Sequence, residues 1–478
     1  MRMFTNLKKA SDWRPQSAVC VLVSLILLMA PGSRRSHVVA PVSAVGQAGG
    51  NTCHIQPIVF EQWPAQQMTN RWLTLVIVPQ LGGRLMQATF ASHSFLFVNY
   101  KYRGQHMPPS EDTHRWINYG GDKIWPMPEG SQDDQHWPGP YSGVLDDGEY
   151  TFHDVSLGDR CRARLEGPAD ARTGLQYTRE ISIDSASPVV SFRAEMKNVS
   201  ARAVRWSVQS VTQYDTADAQ NRLEWNHDFW AFAPVSTQGA YLDGYHVRSG
   251  VAEDPSYSVR DGLFTLHWLD VQNEVWVDSP AGWLAVVDRA SGFAMIERFA
   301  FDPHAEYPGK ASVIFYKNGP DVDADSKGAA QIRTSPEDAP FYMEAELNSP
   351  MVRLAPGESY SFNTSWQPTR AGANFKTVTE AGFVLEPFAV ISDRGKLKLS
   401  GAFGVAFPGR LVARFNDAAG KMIAEEEVQT VDPALEANLS AEIPAQPART
   451  VTLELVDSGG RDRGSLGEAR ISRAAGSE

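Results

Sequence analysis

Cysteine is scarce in this chain, cations are outnumbered, and long apolar runs and amphipathic helical stretches are nearly absent. Only Cys20, Cys53 and Cys161 occur, and neither of the last two has a second cysteine or a histidine at ligand spacing, so a zinc-type site is not expected. Lysine and arginine total 44 against 56 aspartates and glutamates, giving a formal net charge of −12. A sequence-independent nucleic-acid binder needs a dense cationic surface, so this balance argues against one, while a neutral polar ligand fits it. Beyond residue 30 no run approaches the roughly 20 apolar residues of a membrane helix. No internal repeat is visible, and no metal or other cofactor is called for.

The N-terminus reads as an export signal. Arg2, Lys8, Lys9 and Arg14 precede an apolar run from Ala18 to Ala30, which is too short to span a bilayer comfortably. Leu28-Met29-Ala30 and Val42-Ser43-Ala44 both offer a small-x-small cleavage pattern. The alternative is an uncleaved anchor, since the charged leader is long and Arg34-Arg35 follow the run. Either way the expected location is secreted or periplasmic, with membrane contact only through this segment. Cys20 lies in the leader. An oxidising compartment would permit a Cys53–Cys161 disulfide, although two separate thiols are equally compatible with the spacing.

At 478 residues the chain is too long for one compact core. Residues 1–30 form the signal or anchor, and 31–53 a Pro-, Gly- and Ser-rich leader. From residue 54 short apolar runs alternate with period two, as in 72–78, 189–195, 204–208 and 283–287, each bounded by Gly, Pro, Asn or Asp. That is the pattern of antiparallel strands half-buried between sheets. The β body is expected over 54–370. A linker over 371–384 leads to a second strand-rich stretch, 385–474, suited to a small Ig-like sandwich. The Gly-, Arg- and Ser-rich tail from Ser458 is expected to fray. The chain is expected to be monomeric.

The most distinctive stretch runs from Trp116 to Glu129 and contains Asn118-Tyr119-Gly120-Gly121-Asp122-Lys123-Ile124-Trp125. Paired glycines permit positive φ or the close approach of a ligand. An amide, a phenol, a carboxylate, an ammonium and indoles surround them, the groups from which sugar sites are built. A turn stapled by Trp and Pro packing is the competing reading. Asp146-Asp147-Gly148 reads as a hairpin turn rather than a calcium ligand set. Arg84, after Gly82-Gly83, offers paired planar donors to a ligand or makes a surface ion pair. In Phe341-Tyr342-Met343-Glu344-Ala345-Glu346, alternation places Glu344 and Glu346 on one face, where paired carboxylates suit acid–base work.

The order of these motifs carries a resemblance. Pro-x-x-Gly-Gly-Arg at 79–84, Gly-Gly-Asp-x-x-Trp-Pro at 120–126, and Asn198-Val199-Ser200 leading into Trp206 and Thr212-Gln213 are joined by Leu354-Ala355-Pro356-Gly357-Glu358-Ser359. Together they are similar to a family of uncharacterised bacterial proteins of the galactose-mutarotase-like superfamily, over residues 55–370. The resemblance implies a supersandwich of large antiparallel sheets with a concave sugar-binding face. It also implies general acid–base ring opening of an aldose, with Glu344 as the counterpart of the base and Glu346 behind it. The histidine-bearing strand of mutarotases is replaced here by Ser207-Val208-Gln209-Ser210-Val211-Thr212-Gln213, and a glutamine cannot deliver a proton. His136, His227, His246 and His304 stand in loop-like sequence, and Lys123 or Tyr119 are the other donors on offer. Arg84, Asn118, Tyr119, Gly121, Asp122, Gln213 and Glu346 would hold the sugar, with Trp125 stacked on it. The expected function is therefore carbohydrate binding, either with aldose 1-epimerase-like turnover or as a non-catalytic glycan-binding module. A lyase- or hydrolase-associated role stands behind these.

Overall fold

Alternation of apolar and polar residues dictates strands with one face in the core, and strands dominate. A computed structural model describes residues 52–109, 117–130, 133, 135–139, 143–236, 238–319 and 341–473. The expected signal or anchor and Trp116 lie outside them. The described residues are nearly all β, and the body is two large sheets stacked face to face. The first has twelve strands. Its main path runs His54–Phe60, Trp63–Thr69, Leu73–Val78, Arg84–Phe90, Asp122–Met127, Val204–Asp215, Tyr342–Asn348, Val313–Lys317, Asn273–Val277 and Tyr245–Gly250. The second has ten, in the order Tyr257–Arg260, Leu263–His267, Phe229–Pro234, Trp283–Asp288, Phe293–Phe299, Ser359–Arg370, Val190–Asn198, Leu175–Asp184, Arg160–Asp170 and Thr151–Asp154.

The sheets are antiparallel throughout and enclose one core. Cys161, Ala163 and Leu165 alternate inward on one strand; Val190, Phe192, Ala194 and Met196 do so on another. Met343, Ala345 and Leu347 face them from the twelve-stranded sheet. Each large side chain so buried contributes roughly 1.5–3 kcal/mol relative to exposure. Two polar pairs cross this layer from sheet to sheet. Arg179 of the second sheet ion-pairs with Asp122 of the first and donates to its carbonyl at 3.0 Å. Tyr214 donates to Glu297 at 2.6 Å, again from one sheet to the other. A Cys53–Cys161 disulfide with Cα atoms 5.8 Å apart ties the start of the first sheet to the second.

The C-terminal residues build a five-stranded and a four-stranded sheet around a core of their own, including Phe403, Leu411, Phe415 and Leu453. The tail does not fray where expected. Asp462–Arg470 is a strand paired with Thr450–Asp457, because Leu466 is buried in that core. The join to the body is apolar. Trp283, Ala285 and Val287, on the outer face of the ten-stranded sheet, pack with Ala371, Phe375 and Phe383.

Candidate functional site

Three central strands of the twelve-stranded sheet put their chemistry on the face turned away from the core. In register, Lys123 stands opposite Val211, which stands opposite Glu346; one row along, Gln213 stands opposite Glu344. The rows continue outward as Glu346–Ile314–Trp276–His246 and Glu344–Tyr316–Glu274. Paired residues share a face in an antiparallel ladder. An open cleft of about 390 Å³ lies on this surface, with Trp125, Glu129, Gln209, Trp276, Tyr316 and the two glutamates among its walls.

Glu344 is held from below. Its Oε1 accepts from Gln213 Nε2 at 2.5 Å and from Lys123 Nζ at 3.4 Å. Lys123 is only 1% exposed, and burial pulls its ammonium below the ordinary lysine range against the opposing pull of Glu344. The same Nζ lies 4.2 Å from the centre of the Trp125 ring. Glu346 accepts from Gln209 Nε2 at 2.5 Å. Burial, then the neighbouring Glu344, pushes its carboxyl well above the carboxylate range. Glu129 differs: it is open to the cleft yet crowded by the surrounding protein, which with Glu274 and Glu344 raises it to about 7. We read this as a carboxyl in a concavity, desolvated by its walls while still reachable by a ligand. Glu274 is raised by burial and accepts from Trp276 Nε1 at 2.5 Å. Among the described residues, no three His, Cys, Asp or Glu side chains are arranged to hold a metal ion.

Of the residues singled out by sequence, Lys123, Trp125, Gln213, Glu344 and Glu346 converge here. The others do not. Arg84 is neither a ligand donor nor a surface pair. It is fully buried and ion-pairs with Asp146 at 2.7 Å and Asp147 at 3.4 Å. Those aspartates form a buried helical turn, Val144–Asp147, rather than a hairpin tip, and burial lifts Asp147 to about 7. Asp146 also accepts from Trp125 Nε1 at 2.9 Å, so Arg84 positions the indole through a carboxylate. Asp122 points to the opposite face of its strand, into the core, where Arg179 and Thr212 engage it. Tyr119 is wholly buried, and its hydroxyl accepts from Met107 N at 2.9 Å. Asn118 closes the turn by accepting from Gly120 N at 3.0 Å.

The paired glycines are architectural. Gly120 and Gly121 have φ of 95° and 77°. A Cβ on Gly120 would stand 2.2 Å from Phe97 O, and one on Gly121 2.8 Å from Leu85 O. Backbone, not ligand, occupies the space they leave. Of the 118–123 turn only Lys123 reaches the site, and it does not face Glu344 across the cleft as expected: their strands lie two apart in one sheet, so both residues belong to its floor.

Sequence reading missed Glu129, Gln209, Glu274, Trp276 and Tyr316 as site residues. Glu274 and Trp276 alternate with the buried Val275 and Val277, a signal available in the sequence but shared by every half-buried strand. None of the four histidines lines the cleft. His246 is not in a loop but on the strand Tyr245–Gly250, opposite Trp276, with its ring 5.7 Å from that of Tyr241.

A family profile described as a domain of unknown function, DUF4380, matches residues 65–368. No curated protein matches the chain. Among solved structures, a putative mutarotase from Salmonella typhimurium is 10% identical, with 66% of this chain and 94% of that one covered at a TM-score of 0.42. A galactose mutarotase-like protein from Clostridium acetobutylicum is 9% identical, with 67% and 100% covered at 0.39. A TPR-domain containing protein from Parabacteroides distasonis is 14% identical over 66% of this chain at 0.42, and the chain spans only 53% of its length.

Proposed function

The chain belongs to the DUF4380 family, and on that premise we propose that its cleft binds a carbohydrate in a secreted or periplasmic setting. One observation carries this reading. Trp125 and Trp276 flank a strip of Gln209, Glu344, Glu346 and Tyr316 in a single open cleft. Indole faces cover the apolar C–H side of a sugar, while carboxylates and amides meet its hydroxyls. Among the described residues the wall carries four glutamates and a single arginine, Arg248, which suits a neutral polyol better than an anion. The export-like leader and the Cys53–Cys161 disulfide support the location.

Glu129 favours a second reading, aldose 1-epimerase-like turnover. Ring opening needs a base for the anomeric hydroxyl proton and an acid for the ring oxygen as the C1–O bond breaks to a carbonyl; reclosure on the other face restores both protons. Glu344 is the base in this reading. Glu129, a carboxyl that holds its proton up to about pH 7, is the acid that the sequence lacked. Lys123 and Gln213 orient Glu344 from beneath.

A glycan array combined with NMR measurement of anomeric exchange on simple aldoses tests both readings. Binding that falls at least tenfold in Trp276→Ala supports the cleft, and an array without a single sugar ligand removes it. Exchange that is lost in Glu344→Gln supports turnover. Binding without exchange leaves a glycan-binding module.

A further inference from the structure

The ten-stranded sheet also has a polar outer face, and the cleft described above does not use it. Register places Arg298 opposite Ser365, Ser365 opposite Ser191, Ser191 opposite Ser182, and Ser182 opposite Arg162. Five adjacent strands thus carry three short hydroxyl side chains between two guanidinium groups. Long side chains at the ends and short ones between them leave a groove of about 540 Å³, flanked by Arg160 and Arg193. Among the described residues four arginines and one carboxylate, Glu180, line it. In a chain of net charge −12 this is a local reversal of sign, and it is opposite to the glutamate-rich cleft on the other sheet.

The guanidinium groups are not all used internally. Arg298 is spent on structure, donating to Gln367 at 2.8 Å and to the Thr379 carbonyl, and forms a fixed wall. Arg160 meets Asp184 at 3.3 Å and Arg193 meets Glu195 at 2.9 Å, both as part-exposed pairs of the kind that hold little energy and exchange partners readily. Among the described residues Arg162 makes no ion pair. A second cavity of about 380 Å³ shares Arg160, Ser191 and Ser365 with the first and carries the groove on to the C-terminal part, where Arg461 and Arg463 are both paired with Asp457, at 3.1 and 2.8 Å. Five strands at about 4.8 Å spacing make the first stretch alone about 19 Å long, more than one sugar ring needs.

We propose that this groove is a second binding site, for an acidic glycan chain whose carboxylate or sulfate groups lie along the arginines and whose hydroxyls meet the serine floor. Planar guanidinium groups take carboxylate and sulfate through paired hydrogen bonds, which a lysine could not reproduce. A nucleic acid is the less suitable polyanion, because the rest of this acidic surface would repel a densely charged backbone.

Affinity electrophoresis of the full chain tests this, through gels carrying polygalacturonate, dextran sulfate or neutral dextran. Retardation by one or both polyanions and not by dextran is expected, weakening as salt rises; which polyanion retards the chain distinguishes carboxylate from sulfate. An R162E/R193E double variant should lose at least tenfold in apparent affinity, while Glu344→Gln retains it. Arg162→Gln, with a melting temperature checked against the parent, separates lost contacts from lost fold. Equal mobility of the parent in all three gels overturns the proposal, as does a double variant retarded like the parent. Retardation by double-stranded DNA in place of both glycans overturns it equally.

Discussion

Glu297→Gln is the substitution whose effect is most sharply determined. Glu297 lies between the two sheets, fully buried, with its Oε1 accepting from the Tyr214 hydroxyl at 2.6 Å. Burial raises its carboxyl from 4.5 to about 7. A carboxyl raised on folding is taken up protonated, so the stability it contributes is fully present below its unfolded value and is lost as pH rises through its folded value. Between pH 4.5 and 7, at about 1.4 kcal/mol per pH unit, the parent protein therefore loses about 3 kcal/mol through this one group. Glutamine keeps the shape and the acceptor for Tyr214 but has no charge to bury. The two proteins should melt together near pH 4, below the unfolded value, and the variant should melt higher above pH 8. A body of roughly three hundred residues unfolds with an entropy of about 0.6 kcal/mol/K, so the gap should reach about 5 °C. Circular dichroism melts across pH 4 to 8.5 read it directly. Parallel curves for the two proteins refute the argument, and a variant that melts lower at every pH shows that the glutamine amide is not tolerated there.

Three further outcomes follow from the same reasoning. Arg84→Met leaves Asp146 and Asp147 buried without their cation, which should cost about 3–5 kcal/mol and shift tryptophan fluorescence as Trp125 loses its anchor; an unchanged emission spectrum would separate the pair from the indole. Cys53→Ser/Cys161→Ser opens a crosslink spanning 108 residues and should lower stability by about 2–5 kcal/mol in a denaturant titration, while mass spectrometry of the unreduced parent after alkylation should find neither cysteine modified. If the cleft catalyses anomeric exchange, the rate should fall as pH rises through about 7, where Glu129 loses its proton, and Glu129→Gln should be slow at every pH.

The fold was legible where burial is one-sided. The run 189–195 alternates because one face meets the core, and its strand lies where the alternation places it; Tyr342–Asn348 keeps the same period of two although both of its faces are buried. Glu344 and Glu346 were readable as a pair through that period. Arg84 and Asp122 were not, because a charged residue in a sequence looks solvated until its partner is known, and those partners, Asp146 and Arg179, lie about sixty residues away. Gly120 and Gly121 were ambiguous in kind: the same freedom of φ serves a ligand or a neighbouring backbone, and only the nearness of Phe97 and Leu85 decides between them. Glu129 was visible at the end of the distinctive stretch, but a crowding that raises its carboxyl depends on strands from elsewhere in the chain.

The apolar join between the ten-stranded sheet and the C-terminal part bears on how this chain can be divided. Trp283, Ala285 and Val287 have Phe375 and Phe383 as their cover, and the Thr369 hydroxyl donates to Val405 O at 2.7 Å across the same boundary. A fragment ending near residue 370 would carry a bare greasy panel on one side and should aggregate. The C-terminal part is thus a fitted lid rather than a detachable accessory, and a relative that lacks it would need other residues on that panel. Evolution could exchange it only together with the surface beneath.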